Sequence, residues 1–110
     1  MVQISYDDFT KVEIRVGKII RVEDFPKAKK PAYQIWIDFG EFGIKRSSAQ
    51  ITKLYSKEAL IDRLILAVIN FPSRQVADFI SEVLILGVVN DDQVSLVQPD
   101  REVPLGGRIL

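Results

Sequence analysis

Two stretches of the chain alternate apolar and polar residues with a period of two, and this pattern is the strongest constraint on the fold. The first runs over residues 12–23 and is interrupted only at Gly17 and Lys18, whereas the second runs from Tyr33 to Phe39 without interruption. Successive side chains of a strand point to opposite faces of its sheet, so each stretch is predicted to be a half-buried strand. A glycine inside a long strand indicates a bulge or bend, and such a first strand is expected to serve both halves of a small barrel.

Shorter elements are predicted along the rest of the chain. Apolar strands are expected at residues 64–69 and 83–89, another strand in VSLVQP, and a last short strand in PLGGRIL. DFGEFG and NDDQ are typical of turns, and NFPSRQVADFIS is predicted to be a loop. YSKEALIDR favours a short helix capped by Ser56, and SYDD fits a capping box for one helical turn.

Many short strands with only brief helical pieces predict an all-β fold. We expect a five-stranded OB-fold barrel with short helical segments and C-terminal strands, forming a single domain over residues 1–110. The strands at 64–69 and 83–89 are apolar on both faces, whereas a small barrel buries only its inner face. Either local helices or a second copy of the chain must therefore cover the outer side chains, and a second copy is the favoured interpretation.

Composition narrows the classes of function. Fifteen cationic and fifteen acidic residues cancel, but residues 25–75 carry nine cations against four anions. This excess is interpreted first as ordinary solvated surface charge, and the alternative is a polar face that attracts anions. No segment approaches the roughly 18 apolar residues of a membrane span, so a soluble protein without membrane insertion is expected. The absence of cysteine is compatible with a cytoplasmic location.

The residues needed for common catalysis are missing. A serine nucleophile at Ser47 or Ser48 lacks a histidine base, although Lys45 and Ser47 share a face and formally resemble a Ser/Lys dyad. Without histidine or cysteine the common transition-metal sites are absent, and Asp91 with Asp92 is interpreted as a turn rather than a cation site. We therefore predict no enzymatic activity, no metal and no cofactor.

Two clusters of polar and aromatic side chains are the candidate binding residues. Hydrogen-bond donors to phosphate or peptide groups are supplied by Lys45, Arg46, Ser47, Ser48, Gln50 and Lys53. The long loop adds Asn70, Phe71, Arg74, Gln75 and Phe79. An aromatic beside a planar cation suits base stacking and equally suits an apolar peptide side chain, while Phe71 and Phe79 as core residues remain an alternative. In an OB barrel both clusters fall on the usual ligand surface.

Three motifs resemble a known family. KRSSAQITKLY, NFPSRQVADFISEVLILG and LVQPDREVPLGGRI closely resemble the CsaA family of export-related chaperone proteins built on a tRNA-binding domain. VEIRVGKI is also similar to the opening of the tRNA-binding domain appended to some methionyl-tRNA synthetases. The resemblance implies an OB fold, a cytoplasmic homodimer and no catalysis.

The resemblance also implies which residues bind and what they bind. The residues that would border the binding surface are Lys45, Arg46, Ser47, Ser48, Gln50, Asn70, Phe71, Arg74, Phe79, Ser81 and Glu82. Unfolded or precursor polypeptides are the first predicted ligand, with a protein-translocation factor as a further partner. The alternative is a tRNA-binding protein in which Arg46 and Arg74 meet phosphate and Phe71 stacks on a base, and a purely structural subunit is the third hypothesis.

Overall fold

Nine strands and two short helices make up the fold. The computed structural model describes residues 1–110. The helices are α1 (Tyr6–Thr10) and α2 (Lys57–Leu60), and a 3-10 turn spans Gly40–Phe42. The strands are β1 (Ile14–Asp24), β2 (Tyr33–Asp38), β3 (Ile44–Ala49), β4 (Leu64–Val68), β5 (Arg74–Val76), β6 (Phe79–Ser81), β7 (Leu84–Ile85), β8 (Gly87–Asn90) and β9 (Gln93–Leu96).

Five of these strands form one antiparallel sheet in the order β3-β2-β1-β4-β7. The sheet curls until β3 approaches the segment before β7, where the Glu82 and Val83 amides both donate to the Arg46 carbonyl, at 2.8 and 3.3 Å. These bonds bring the two ends of the sheet together. The prediction of a five-stranded OB-like barrel is therefore confirmed.

Strand β1 is the longest element and pairs with strands on both of its sides. Lys18 is opposite Asp38 of β2 and also opposite Leu64 of β4, as expected for a strand that serves both halves of a barrel. The irregularity in its pairing lies between Ile19 and Arg21 rather than at Gly17. Gly17 has a different role, because its buried backbone lies directly against other core side chains.

The barrel interior is filled by the alternating side chains of β1 and β2. Ile19, Ile35, Ile37 and Phe39 are fully buried, and Leu60 of α2 closes the same cluster. The predicted inner face of the second strand is therefore confirmed. Both predicted caps are also present: the Ser56 hydroxyl accepts from the Ala59 amide, and Ser5 and Asp8 form the capping box of α1.

Other observed elements differ from the predicted ones, because they depend on strand pairing between distant residues that a local sequence pattern does not show. The single strand expected at 83–89 is divided into β7 and β8, because β7 pairs with β4 whereas β8 pairs only with β9. The predicted loop NFPSRQVADFIS contains the β5-β6 hairpin, whose strands have three residues each and are too short for a clear alternation. The last strand is reduced to an isolated bridge between Arg15 and Arg108.

The apolar outer face is only partly covered within one chain. Leu64 and Leu66 of β4 are half-buried, whereas Val88 and Val89 of the β8-β9 hairpin are 63% and 72% exposed. None of the helices is long and apolar enough to cross a membrane.

Replacing Gly17 by alanine is expected to lower the free energy of unfolding by about 1–3 kcal/mol, because the added methyl group overpacks the core. A Cβ at this position would lie 2.7 Å from Phe39 Cε1 and would also overlap the side chain of Ile37. Urea unfolding monitored by Trp36 fluorescence measures the change. Lys18→Ala on the same strand is the control, expected within about 0.5 kcal/mol of the wild type; equal stability of the two variants would contradict the packing argument.

Candidate binding site

The β5-β6 hairpin packs against the outer surface of the barrel and creates a second, small apolar cluster. Phe79 inserts edge-on between Phe25 and Trp36, with ring centroids 5.6 and 5.7 Å away. Ala32 and the partly buried Val76 complete the contact. Since Phe79 is only 5% exposed, it takes the core role that the sequence left open and anchors the hairpin instead of facing a ligand.

Strand β3 divides the predicted binding residues between two faces. Ser47 lies opposite the buried Ile35, is 1% exposed, and donates its hydroxyl to the Ser48 carbonyl at 3.3 Å. Lys45 lies on the same face as Ser47, as predicted, because it is two residues away on the same strand. Arg46 and Ser48 point to the opposite face, toward the hairpin, because side chains alternate along the strand. Ser48 lines two cavities beside the hairpin, whereas Arg46 contacts Glu82 and Phe79 and lines neither of them.

On the edge of β3 that does not pair with β2, the backbone amides donate hydrogen bonds to side chains and not to another strand. The Arg46 amide donates to Glu82 Oε1 at 3.1 Å, and the Ser48 amide donates to Ser81 Oγ at 3.0 Å. The Arg46 guanidinium lies 3.6 Å from the same carboxylate and 5.2 Å from the centre of the Phe79 ring. Arg46, Ser81 and Glu82 therefore join the hairpin to the barrel.

A cavity of about 430 Å³ opens where the hairpin leaves the barrel. Its lining combines apolar side chains with hydroxyls, one carboxylate and one guanidinium: Ser48, Phe71, Pro72, Ser73, Arg74, Ser81, Glu82, Val83 and Leu84. Phe71 is 53% exposed and Leu84 is 50% exposed, although both are large apolar residues. We call this space the apolar cavity.

A second cavity of about 410 Å³ adjoins the first and shares Ser48 and Arg74 with it. Four cations and no carboxylate line it, and the complete lining is Lys27, Ala28, Lys29, Lys30, Ala32, Ser48, Gln50, Arg74, Val76 and Ala77. We call this space the cationic cavity. Lys27 is bound to Asp78 of the hairpin turn at 2.8 Å, and this hydrogen bond raises the pKa of Lys27 and lowers that of Asp78.

The unpaired cations are concentrated at the cationic cavity. Nine of the fifteen Lys and Arg side chains form ion pairs. The six others are Lys18, Lys29, Lys30, Lys45, Arg63 and Arg74, and three of these line the cationic cavity. An anionic ligand would meet cations there whose charge no neighbouring carboxylate neutralises.

Except for Gln50, the remaining predicted site residues lie outside the apolar and cationic cavities. Lys53 and Gln50 line a third cavity of about 550 Å³, where Lys53 pairs with Asp92 at 3.5 Å. Asn70 is engaged in the fold: its Oδ1 accepts from the Glu13 amide at 2.9 Å and its Nδ2 donates to the Lys11 carbonyl at 2.7 Å. The Gln75 side chain points into solvent and donates to the Ala77 carbonyl at 2.9 Å.

Sequence reasoning missed several lining residues of both cavities. Lys27, Lys29 and Lys30 were counted in the cationic middle segment but were not assigned to the site, although the run KAKK could have indicated it. The sequence pattern predicts Val83 and Leu84 only as strand residues. Their place at the apolar cavity depends on where β7 begins.

A nearly closed OB-type barrel with an external hairpin and adjoining apolar and cationic cavities defines a small binding domain. Comparison with known families agrees with this class, because the family described as "Putative tRNA binding domain" matches residues 14–108. The chain belongs to this family, and within it the resemblance to the CsaA proteins is confirmed by solved structures.

Two of those structures cover nearly the whole chain. The chaperone CsaA of Bacillus anthracis strain Ames is 46% identical, with a TM-score of 0.95, and the alignment covers 99% of this chain and 100% of that one. The CsaA chaperone protein of Picrophilus torridus is 52% identical, with a TM-score of 0.92 and coverage of 98% and 100%. The methionine–tRNA ligase of Thermococcus onnurineus is 34% identical over 96% of this chain, but the chain spans only 14% of that ligase.

Proposed function

We propose that this protein is a non-catalytic, chaperone-like protein that binds unfolded or precursor polypeptides in the apolar cavity. The observation that carries the proposal is the pair Phe71 and Leu84, which expose about half of their surface at the rim of a concave space of about 430 Å³. Exposed apolar side chains gathered around a cavity mark a binding surface, because covering them removes apolar area from water. Both similar CsaA structures are of chaperones, which supports the proposal.

The polar groups of the cavity suit a polypeptide ligand. Ser73 and Arg74 offer hydrogen-bond donors, and Glu82 offers an acceptor beside them. A peptide backbone needs both kinds of partner, whereas an apolar side chain needs only the space next to Phe71. The proposal includes a cytoplasmic location, a role before protein export and contact with a translocation factor, all supported by the CsaA resemblance.

Binding of tRNA is the second candidate, and the cationic cavity favours it. Lys29, Lys30 and Arg74 have no ion-pair partner in the chain and line one concave surface. Cations in such a position gain affinity for phosphate by releasing condensed counterions. The family assignment supports this candidate as well. Of the two arginines expected at phosphate, Arg74 is the better placed, because Arg46 is paired with Glu82.

We further propose that two copies of the chain associate through the β8-β9 hairpin. Val88 and Val89 expose most of their surface on the β8-β9 hairpin, which pairs with no other strand. In a two-fold symmetric contact through this hairpin, Val88 and Val89 of both copies would be removed from water.

Phe71→Ala is expected to weaken the binding of a labelled unfolded peptide by about tenfold, because the aromatic ring is the main apolar anchor. Fluorescence anisotropy at low and near-physiological salt measures the dissociation constant. The matched control is Tyr6→Ala, which removes an aromatic side chain that is 69% exposed on α1, away from the cavities. Equal losses in the two variants, or no peptide binding by the wild type, would overturn the proposal.

For tRNA, Arg74→Ala is expected to reduce the slope of log affinity against log salt by about one, the change for one lost phosphate contact. Lys18→Ala serves as the control, because Lys18 is also unpaired but lines none of the three cavities. Bulk tRNA and the same anisotropy measurement are used. If Arg74→Ala and Lys18→Ala have the same slope, the cationic cavity is not a tRNA site.

For the homodimer, sedimentation equilibrium at micromolar concentration is expected to give twice the chain mass. Val89→Glu should shift the population to single chains, because a carboxylate at the contact loses its hydration without gaining a partner. Ile61→Glu is the control, since Ile61 is exposed outside the β8-β9 hairpin. A monomeric wild type would contradict the dimer, and a larger assembly would favour the structural-subunit hypothesis.

A further inference from the structure

Strand β5 has one unpaired edge. It belongs to a two-stranded sheet with β6 alone, so its other side has no neighbouring strand. The hairpin turns through Ala77 and Asp78, and Val76 pairs with Phe79 on either side of this two-residue turn. The pair that closes such a turn is hydrogen-bonded, and hydrogen-bonded pairs alternate with non-bonded pairs along an antiparallel ladder.

The alternation determines which backbone groups face the open edge. Gln75 pairs with Ile80 between the two bonded pairs, so its amide and carbonyl point away from β6. None of the 19 backbone hydrogen bonds outside the regular elements involves Gln75, and the residue is exposed. One donor and one acceptor are therefore available to a further strand. The edge of β3 differs, because its amides are already bound by Ser81 and Glu82.

The open edge of β5 borders both cavities. Its first residue, Arg74, lines the apolar and the cationic cavity, and Val76 and Ala77 line the cationic cavity. Arg74 and Val76 lie on the hairpin face that packs toward the barrel, where Val76 contacts the small apolar cluster. A strand added beside β5 would therefore project every second side chain toward the two cavities.

We propose that the polypeptide ligand binds as an added β-strand along β5, and that the preferred segment carries an apolar side chain followed or preceded by acidic side chains. The backbone of the ligand pairs with the amide and carbonyl of Gln75, the mode of recognition in which an extended peptide extends an open sheet edge. This inference rests on the function proposed above and adds the binding mode and the ligand class.

Charge complementarity selects the acidic residues of the ligand. The cationic cavity contains the unpaired Lys29, Lys30 and Arg74, and no carboxylate lines it. The apolar cavity adjoins the cationic cavity at Arg74, and there the apolar side chain of the ligand would pack against Phe71 and Leu84. Side chains on one face of a strand repeat every two residues, about 6.6–6.8 Å apart, so the apolar and acidic residues occupy positions of the same parity.

The backbone contact is tested with two substitutions at one position. Gln75→Pro removes the outward amide while leaving the bonded pairs of β5 and β6 in place, since proline is tolerated where a strand amide faces away from the ladder. We expect this variant to bind a labelled peptide with the proposed apolar and acidic side chains about three- to tenfold more weakly. A loss of this size corresponds to one backbone hydrogen bond. Gln75→Ala removes only the side chain and is expected to bind like the wild type.

A second measurement keeps the test decisive if Gln75→Pro disturbs the hairpin. A series of peptides, each N-methylated at one successive position, is titrated against the unaltered protein. An added strand predicts that affinity falls at the one position whose amide donates to the Gln75 carbonyl and not at its two neighbours, because the neighbouring amides face away from β5. Uniform losses, or no losses at any position, would overturn the added-strand mode.

The charge preference is tested with matched peptides in which glutamates are replaced by glutamines or lysines. The expected order of affinity is glutamate, glutamine, lysine, with the preference reduced in the protein variant K29Q/K30Q and by added salt. An equal or reversed order would overturn the acidic ligand class. If a peptide binds without a position-specific loss on N-methylation and without a charge preference, the polypeptide-binding function stands and the added-strand mode does not. Binding of tRNA with no binding of peptide would overturn both.

Discussion

The double pairing of β1 is the constraint on which the rest of the structure depends. One strand of eleven residues forms ladders with β2 and with β4, and Lys18 belongs to both. The strand can do this only if it bends, and the irregular pairing after Ile19 supplies the bend. Gly17 allows the curved strand to approach Ile37 and Phe39 more closely than any side chain would permit. The barrel closes because this bend carries β3 round to the residues before β7.

The binding surface is built outside this barrel and depends on a separate contact. Phe79 inserts between Phe25 and Trp36, so the β5-β6 hairpin is held on the outer face of β2 and β3. The Lys27–Asp78 pair holds the tip of the hairpin, and the bonds from Arg46 and Ser48 to Glu82 and Ser81 hold its base. The cavities on either side of Arg74 exist because the hairpin is supported at both ends.

Several parts of the fold and site were predictable because they depend on local geometry. The inner face of β2, the helix caps at Ser5 and Ser56 and the NDDQ turn each follow from residues next to one another. The β5-β6 hairpin was not predictable from its pattern, because three-residue strands are too short to show a period. Ser47 was placed in the binding cluster with Ser48, but alternation along β3 sends one into the core and the other to the cavities.

The sequence by itself determined the class of fold, since an alternation of apolar residues is a property of neighbouring positions and admits few arrangements other than half-buried strands. It also indicated an excess of cations in the middle of the chain. Only the tertiary structure decided that Lys29 and Lys30 line one cavity together with Arg74, and that the edge of β5 stays open beside it. The physical reason is that these residues are distant in sequence, and their proximity is produced by the packing of Phe79 on the barrel and not by any local preference.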